Sequence, residues 1–119
     1  MPQATPLISG IDDSNFNMNE TIARHRKLLE QYPDNELARF SLGKAYFDAG
    51  QIAEAREQFE FAIAKKPDWM VVQILMGKCD LALGHKTEAR AAFERAKQLA
   101  IAQNHEGPLA EMEEMLAEW

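Results

Sequence analysis

With 119 residues, 46% of them hydrophobic and 27% charged, the chain has the size and balance of one soluble domain with one core. A net charge of −6 and a pI near 5.0 weigh against a general nucleic-acid binder, which needs a basic stripe to meet phosphates. A lone cysteine, Cys79, excludes an internal disulfide and cannot alone build a zinc site, and no run approaches the ~20 apolar residues of a membrane span.

In chain order, residues 1–17 contain Pro2, Pro6, Gly10, the adjacent acids Asp12 and Asp13, and several small polar side chains, which predicts a flexible N-terminal arm. Leu7, Ile8, Ile11 and Phe16 give this arm enough apolar character to dock. The opening Met1 to Pro6 lacks the basic and long apolar regions of a signal peptide, so a cytoplasmic location is expected. Asn17, with Glu20 three residues on, has the pattern of a capping box. The helix it would open carries Ile22, His25, Leu29 and Tyr32 at helical spacing until Pro33.

From there the chain repeats itself. Leu42-Gly43 returns as Met76-Gly77, Gly50 as Gly84, Glu54-Ala55-Arg56 as Glu88-Ala89-Arg90, Phe59 as Phe93 and Ala62 as Ala96, each 34 residues on. Matched features at one such period indicate stacked supersecondary units. Each unit reads as two helices. The first, Leu37 to Ala49, has no internal proline and carries Gly43 in its middle, where a glycine costs about 1 kcal/mol against alanine and usually marks a close helix–helix contact. Gly50 supplies the positive φ that ends it. The second, Ile52 to Lys66, places Ala55, Phe59, Ala62 and Ile63 on one face and stops at Pro67, after which Asp68 is positioned to cap a helix at Trp69. The second unit runs from Trp69 to Ala102, and Leu109, Met112, Met115 and Leu116 mark a closing helix.

These motifs resemble the tetratricopeptide-repeat family, in the form of its small bacterial members. Residues 36–69 match the family signature at Leu42, Gly43, Tyr46, Gly50, Ala55, Phe59, Ala62 and Pro67. Residues 70–103 match at Gly77, Gly84, Ala89, Phe93 and Ala96, and depart at Asp80, where tyrosine is expected, and at Ile101, where proline belongs. The departures predict a modified helix junction and a longer final helix. The resemblance implies an all-α fold, a right-handed superhelical stack of antiparallel helix pairs. One domain is expected over residues 18–119, with a half repeat at 18–33, repeats at 36–69 and 70–103, and a capping helix at 107–118.

Chemistry has no motif in its favour. The sequence lacks a Gly-rich phosphate loop, paired cysteines and His-x-x-x-His spacing, so no catalytic, cofactor or metal residue is assigned and no enzyme is expected. His25, His85 and His105 fall on separate elements, and Cys79 stands where the fold packs a small side chain. Met70, Met76, Met112 and Met115 read as core filler, while Trp119 fits either a packed end or an exposed anchor.

The resemblance places function in the concave face, lined by the first helix of each pair. It assigns Leu37, Phe40, Lys44, Phe47 and Asp48 there from the first repeat, and Val71, Ile74, Lys78, Leu81 and Ala82 from the second. Phe40 and Ile74 would supply apolar contact, and the two lysines would steer a carboxylate or an acidic helix flank. The implied function is a non-enzymatic interaction module that binds a peptide or helix of another protein, with no nucleic acid and no membrane. The alternative is a self-assembling subunit, a possible homodimer, burying the same apolar face. Two full repeats make a short groove, which a second copy would complete or the arm would occupy. One family subgroup clamps peptide C-termini with lysine, asparagine and arginine from three consecutive repeats. Lys44 and Leu75 stand where asparagine would be needed and no full third repeat follows, so chaperone-tail binding is not expected.

Overall fold

The computed structural model describes the backbone of residues 5–119 and the side chains of residues 18–119. The arm expected over residues 1–17 falls outside the described residues at its first four positions, and outside the described side chains throughout. Six helices follow in order: α1 Thr5–Gln31, α2 Glu36–Asp48, α3 Ile52–Lys65, α4 Met70–Ala82, α5 Lys86–Ala102 and α6 Glu106–Ala117. The backbone of α1 is helical without interruption from Thr5, so Asn17 lies inside this helix and not at its start.

Among the described residues the helices pack principally on their neighbours in sequence, α1 on α2, α2 on α3, and so on to α6. Close approach within each pair comes from one missing side chain. A Cβ on Gly43 would lie 2.7 Å from the Phe59 ring, and one on Gly77 would lie 2.5 Å from the Phe93 ring. Each phenylalanine thus lies against the bare backbone of the facing helix and is fully buried. Burying such a ring contributes roughly 1.5–3 kcal/mol. Gly50 and Gly84 end α2 and α4 with φ of 82° and 83°, the left-handed conformation the repeat requires there.

The loops between pairs are pinned in a repeating way. Arg39 donates to the carbonyl of Pro33 at 3.2 Å, and Gln73, one period later, donates to the carbonyl of Pro67 at 3.4 Å. The start of α2 is capped by Asn35, whose side-chain oxygen accepts from the Ala38 N–H at 2.9 Å. The expected cap at Asp68 does not form: α4 begins at Met70 with Trp69 before it and no side-chain cap bond. The Trp69 ring instead packs against Phe40, with centroids 5.0 Å apart. Ile101 in place of proline has the expected consequence. Without a ring to block the helix, α5 extends to 17 residues against 14 for α3.

Two core clusters result. Ile22, Leu42, Tyr46, Phe59, Val72, Leu75 and Met76 form the first, with Phe40 and Phe47 partly buried against it. Met70, Ile74, Phe93, Ala96, Ala100 and Met112 form the second, where α6 closes over α4 and α5. Three of the four methionines read as core filler are buried, and Met115 is partly so. Positions of α6 that correspond to Gly77 and Asp80 hold Glu111 and Glu114, which keep its outer face polar. A polar end face is what a terminal repeat needs to avoid further stacking.

Candidate binding surface

The residues assigned to the concave face divide by exposure. Leu37 is 60% exposed, Val71 45% and Leu81 40%, large values for aliphatic side chains on otherwise well-packed helices. Leu37 and Val71 occupy the same position in successive repeats, at the starts of α2 and α4. Their exposure follows from that position, which points away from the α3 and α5 partners. Phe40 and Phe47 are half-buried, and Phe40 lies against both Phe59 and Trp69. Ile74 is buried in the second cluster. Of the two residues expected to supply apolar contact, Ile74 therefore belongs to the core, because α6 packs over its turn of α4, and Phe40 is mainly structural.

Both lysines are engaged within the chain. Lys44 Nζ pairs with Asp48 at 2.9 Å one turn along α2. Lys78 Nζ reaches Glu111 on α6 at 3.3 Å, a partner that only the packing of α6 beside α4 brings into range. These are surface pairs, contributing about 0–1 kcal/mol each, so an incoming carboxylate can compete for either cation. At the far end, Leu81, Lys86, Met115, Glu118 and Trp119 line an open cleft of about 270 Å³. The Trp119 ring meets Phe93 edge-on at 6.0 Å and is 42% exposed.

One polar cluster was not anticipated as a unit. Asp80 is 1% exposed and sits between Arg56 of α3, whose Nε donates to Oδ1, and His85, whose Nδ1 lies 3.2 Å from the same oxygen. The His85 backbone N–H also donates to the Asp80 carbonyl at 2.7 Å. Hydrogen bonding to Asp80 raises the Arg56 pKa, so the guanidinium is charged at every accessible pH. Burial pushes the neighbouring Cys79 thiol up to about 11, with the Asp80 charge adding to the shift and Arg56 opposing it. A protonated, fully buried thiol is a poor nucleophile. Both side-chain contacts fall on Oδ1 of a carboxylate shielded from solvent, so the cluster is a fastening between α3 and the end of α4. Among the described residues no three His, Cys, Asp or Glu side chains converge in a way that would hold a metal, and no helix is long and apolar enough to cross a membrane. The sequence signal for the fastening was Asp80 in a tyrosine's place together with Arg56 in the place that Ile22 holds one period earlier.

Comparison with known proteins agrees with this architecture. A family model described as tetratricopeptide repeat matches residues 14–69. The TPR repeat-containing protein PA0015 of Pseudomonas aeruginosa is 38% identical over 87 residues, covering 73% of this chain and 81% of that protein. Among solved structures, protein BPP2914 from Bordetella parapertussis superposes with a TM-score of 0.70 at 28% identity, over 82% of this chain and 84% of that one. The first TPR of Spaghetti, bound to an HSP90 peptide, gives a TM-score of 0.70 at 21% identity, over 98% and 96% of the two chains. That last likeness is one of fold. With the 34-residue period, the glycine–phenylalanine contacts and the relative from Pseudomonas in agreement, the chain belongs to the tetratricopeptide-repeat family.

Proposed function

We propose that the chain is a protein-interaction module that takes a peptide or helix of a partner protein along the face formed by α2, α4 and α6. The observation that carries this is the register of Leu37 and Val71, exposed aliphatic residues repeated at one period on successive first helices. Core positions in this chain are buried in both repeats, so a pair left in solvent in both repeats is a surface with a use. Leu81 and the partly buried Phe47 occupy a second repeated position and extend the strip. Lys44 and Lys78 flank it, each already held by a carboxylate of the same chain. They favour partners with an acidic flank through steering and exchange of ion pairs more than through added affinity. Membership of a family in which the first TPR of Spaghetti holds a peptide supports a peptide ligand here, while Lys44 and Leu75 argue against a chaperone C-terminus as that peptide.

The test compares baits. Native protein and a Leu37→Asp/Val71→Asp variant are used to capture partners from the source cell, and each captured protein is re-measured with purified material by calorimetry. Both substituted residues are exposed, so the variant should keep its helicity and melting temperature. The proposal expects at least one direct interaction to weaken roughly 100-fold or more in the variant, the loss of two apolar anchors at about 1–3 kcal/mol each. Equal affinity of native and variant protein for every partner would reject the concave face as the binding surface.

A further inference from the structure

The two ends of the stack are finished differently. At the C-terminal end α6 closes over α4 and α5 with a polar outer face. At the other end the second half of α1 stands where α3 and α5 stand in the complete repeats, and among the described residues no helix precedes it. Moving back one period, Thr21 takes the place of Ala55, His25 that of Phe59, and Leu28 that of Ala62. In both complete repeats those three positions are 0% exposed beneath the first helix of the pair, but here Thr21 and His25 are only partly buried and Leu28 is 42% exposed. The facing wall is uncovered in the same way. Ser41 and Ala45 of α2 are partly buried, while Leu75 and Cys79, one period on, are buried in the first core cluster. Between the walls, Leu28, Tyr32, Leu37 and Ser41 line a cleft of about 260 Å³.

What fits this cleft follows from the contacts that covering helices make elsewhere in the chain. Thr21, His25, Leu28 and Tyr32 succeed one another at helical spacing, a ridge of about 16 Å that suits a straight helix of three turns. Leu42-Gly43 and Met76-Gly77 show what such a helix presents, a large aliphatic followed by a residue small enough for close approach. Three residues before the aliphatic, each covering helix makes a polar contact with the second helix. Arg39 donates to Gln58 at 3.0 Å and lies 3.9 Å above the Phe61 ring, and Gln73 accepts from Arg95 at 3.2 Å. In α1 the places of Gln58 and Phe61 are held by two cations, Arg24 and Lys27. Arg24 has Glu20 at 3.6 Å, and Lys27 has no ion-pair partner among the described residues. An acid in the place of Arg39 would answer both.

We infer that the cleft takes an amphipathic helix of a partner protein, which completes the half repeat and carries Glu or Asp three residues before a large aliphatic–small pair. The inference rests on the peptide-binding reading and extends that face past Leu37 onto α1. It names the ligand as a helix and gives it a sequence pattern and a sign of charge.

The probe is a helix-stapled synthetic peptide with the sequence of Glu36–Asp48 carrying Arg39→Glu, and its control is the same peptide with Arg39 retained. Binding to the full chain is followed by fluorescence anisotropy. The Arg39→Glu peptide should bind about 10-fold or more tighter than the control. In the protein, Leu28→Asp should weaken it about 10-fold or more. Arg24→Glu with Lys27→Glu should reverse the preference between the two peptides, a result that loss of folding cannot produce. No binding of either peptide, equal affinity for both, or indifference to Leu28→Asp would overturn the inference. So would a native dimer in sedimentation velocity that Leu28→Asp dissociates, since the cleft would then belong to a second copy. Val71→Asp, on the strip beyond the cleft, should leave peptide affinity unchanged. Failure of the peptide alongside partners still captured through Val71 would therefore sink this inference and leave the binding face standing.

Discussion

Two junctions in this molecule occupy the same place in the repeat and are built from opposite materials. Between α1 and α2, Ile22 and Tyr46 are buried together in the first core cluster. One period later, between α3 and α4, the corresponding residues are Arg56 and Asp80, an ion pair with His85 at its edge. An apolar pair stabilises through the area it removes from water and tolerates small shifts of one helix against the next. A buried ion pair contributes little net stability, because desolvation offsets the attraction, but it fixes geometry and is costly to break from one side. The backbone and the period are indifferent to the choice. The first junction glues a helix pair to its neighbour, and the second locks it.

This difference can be broken most severely by removing one charge. Arg56→Met leaves Asp80 buried beside only a half-exposed imidazole, and should cost about 3–5 kcal/mol, read as a lowered urea midpoint. A loss under about 1 kcal/mol would mean that the second junction is not a lock. A milder effect sharpens the comparison through Cys79, which lies beside Asp80. Its folded pKa of about 11 exceeds the ordinary 9.0, so between pH 9 and pH 11 the unfolded chain releases a proton that the folded chain keeps. Stability should be unaffected by this thiol below pH 9 and fall as pH rises through that window. The urea midpoint followed across the window should decline more steeply in native protein than in Cys79→Ser. The smallest effect belongs to the exchange of materials. Arg56→Ile with Asp80→Tyr copies the first junction into the second, and should leave stability within about 1 kcal/mol of native, or raise it, despite the cost of Arg56→Met alone. A double variant as unstable as the single one would show that the surroundings of the second junction have adapted to charge.

The sequence showed the period, the two helices per unit, the contacts made by Gly43 and Gly77 and the turns at Gly50 and Gly84, because each rests on residue types whose reason is local or repeats at fixed spacing. Asp80 was visible as a departure from the family pattern, but its partner was not. Arg56 lies on the preceding helix and also forms part of a matched motif, Glu54-Ala55-Arg56, which hid its difference from Ile22. The binding face was legible as a list of positions and not as a surface. Leu37, Val71 and Leu81 are exposed, whereas Ile74 is claimed by the core and Lys78 by Glu111, both through the packing of α6. Where α6 would close was a tertiary fact that no spacing within α4 encodes.

The claim that function lies on the repeated aliphatic strip is tested most directly by methyl NMR of the protein titrated with the purified segment of a captured partner. The account predicts that the methyl signals of Leu37, Val71 and Leu81 shift first and most, while those of Ile63 and Leu99, on α3 and α5, stay in place. Shifts confined to α1, α3 and α5, with Leu37 and Val71 unmoved at saturation, would contradict it.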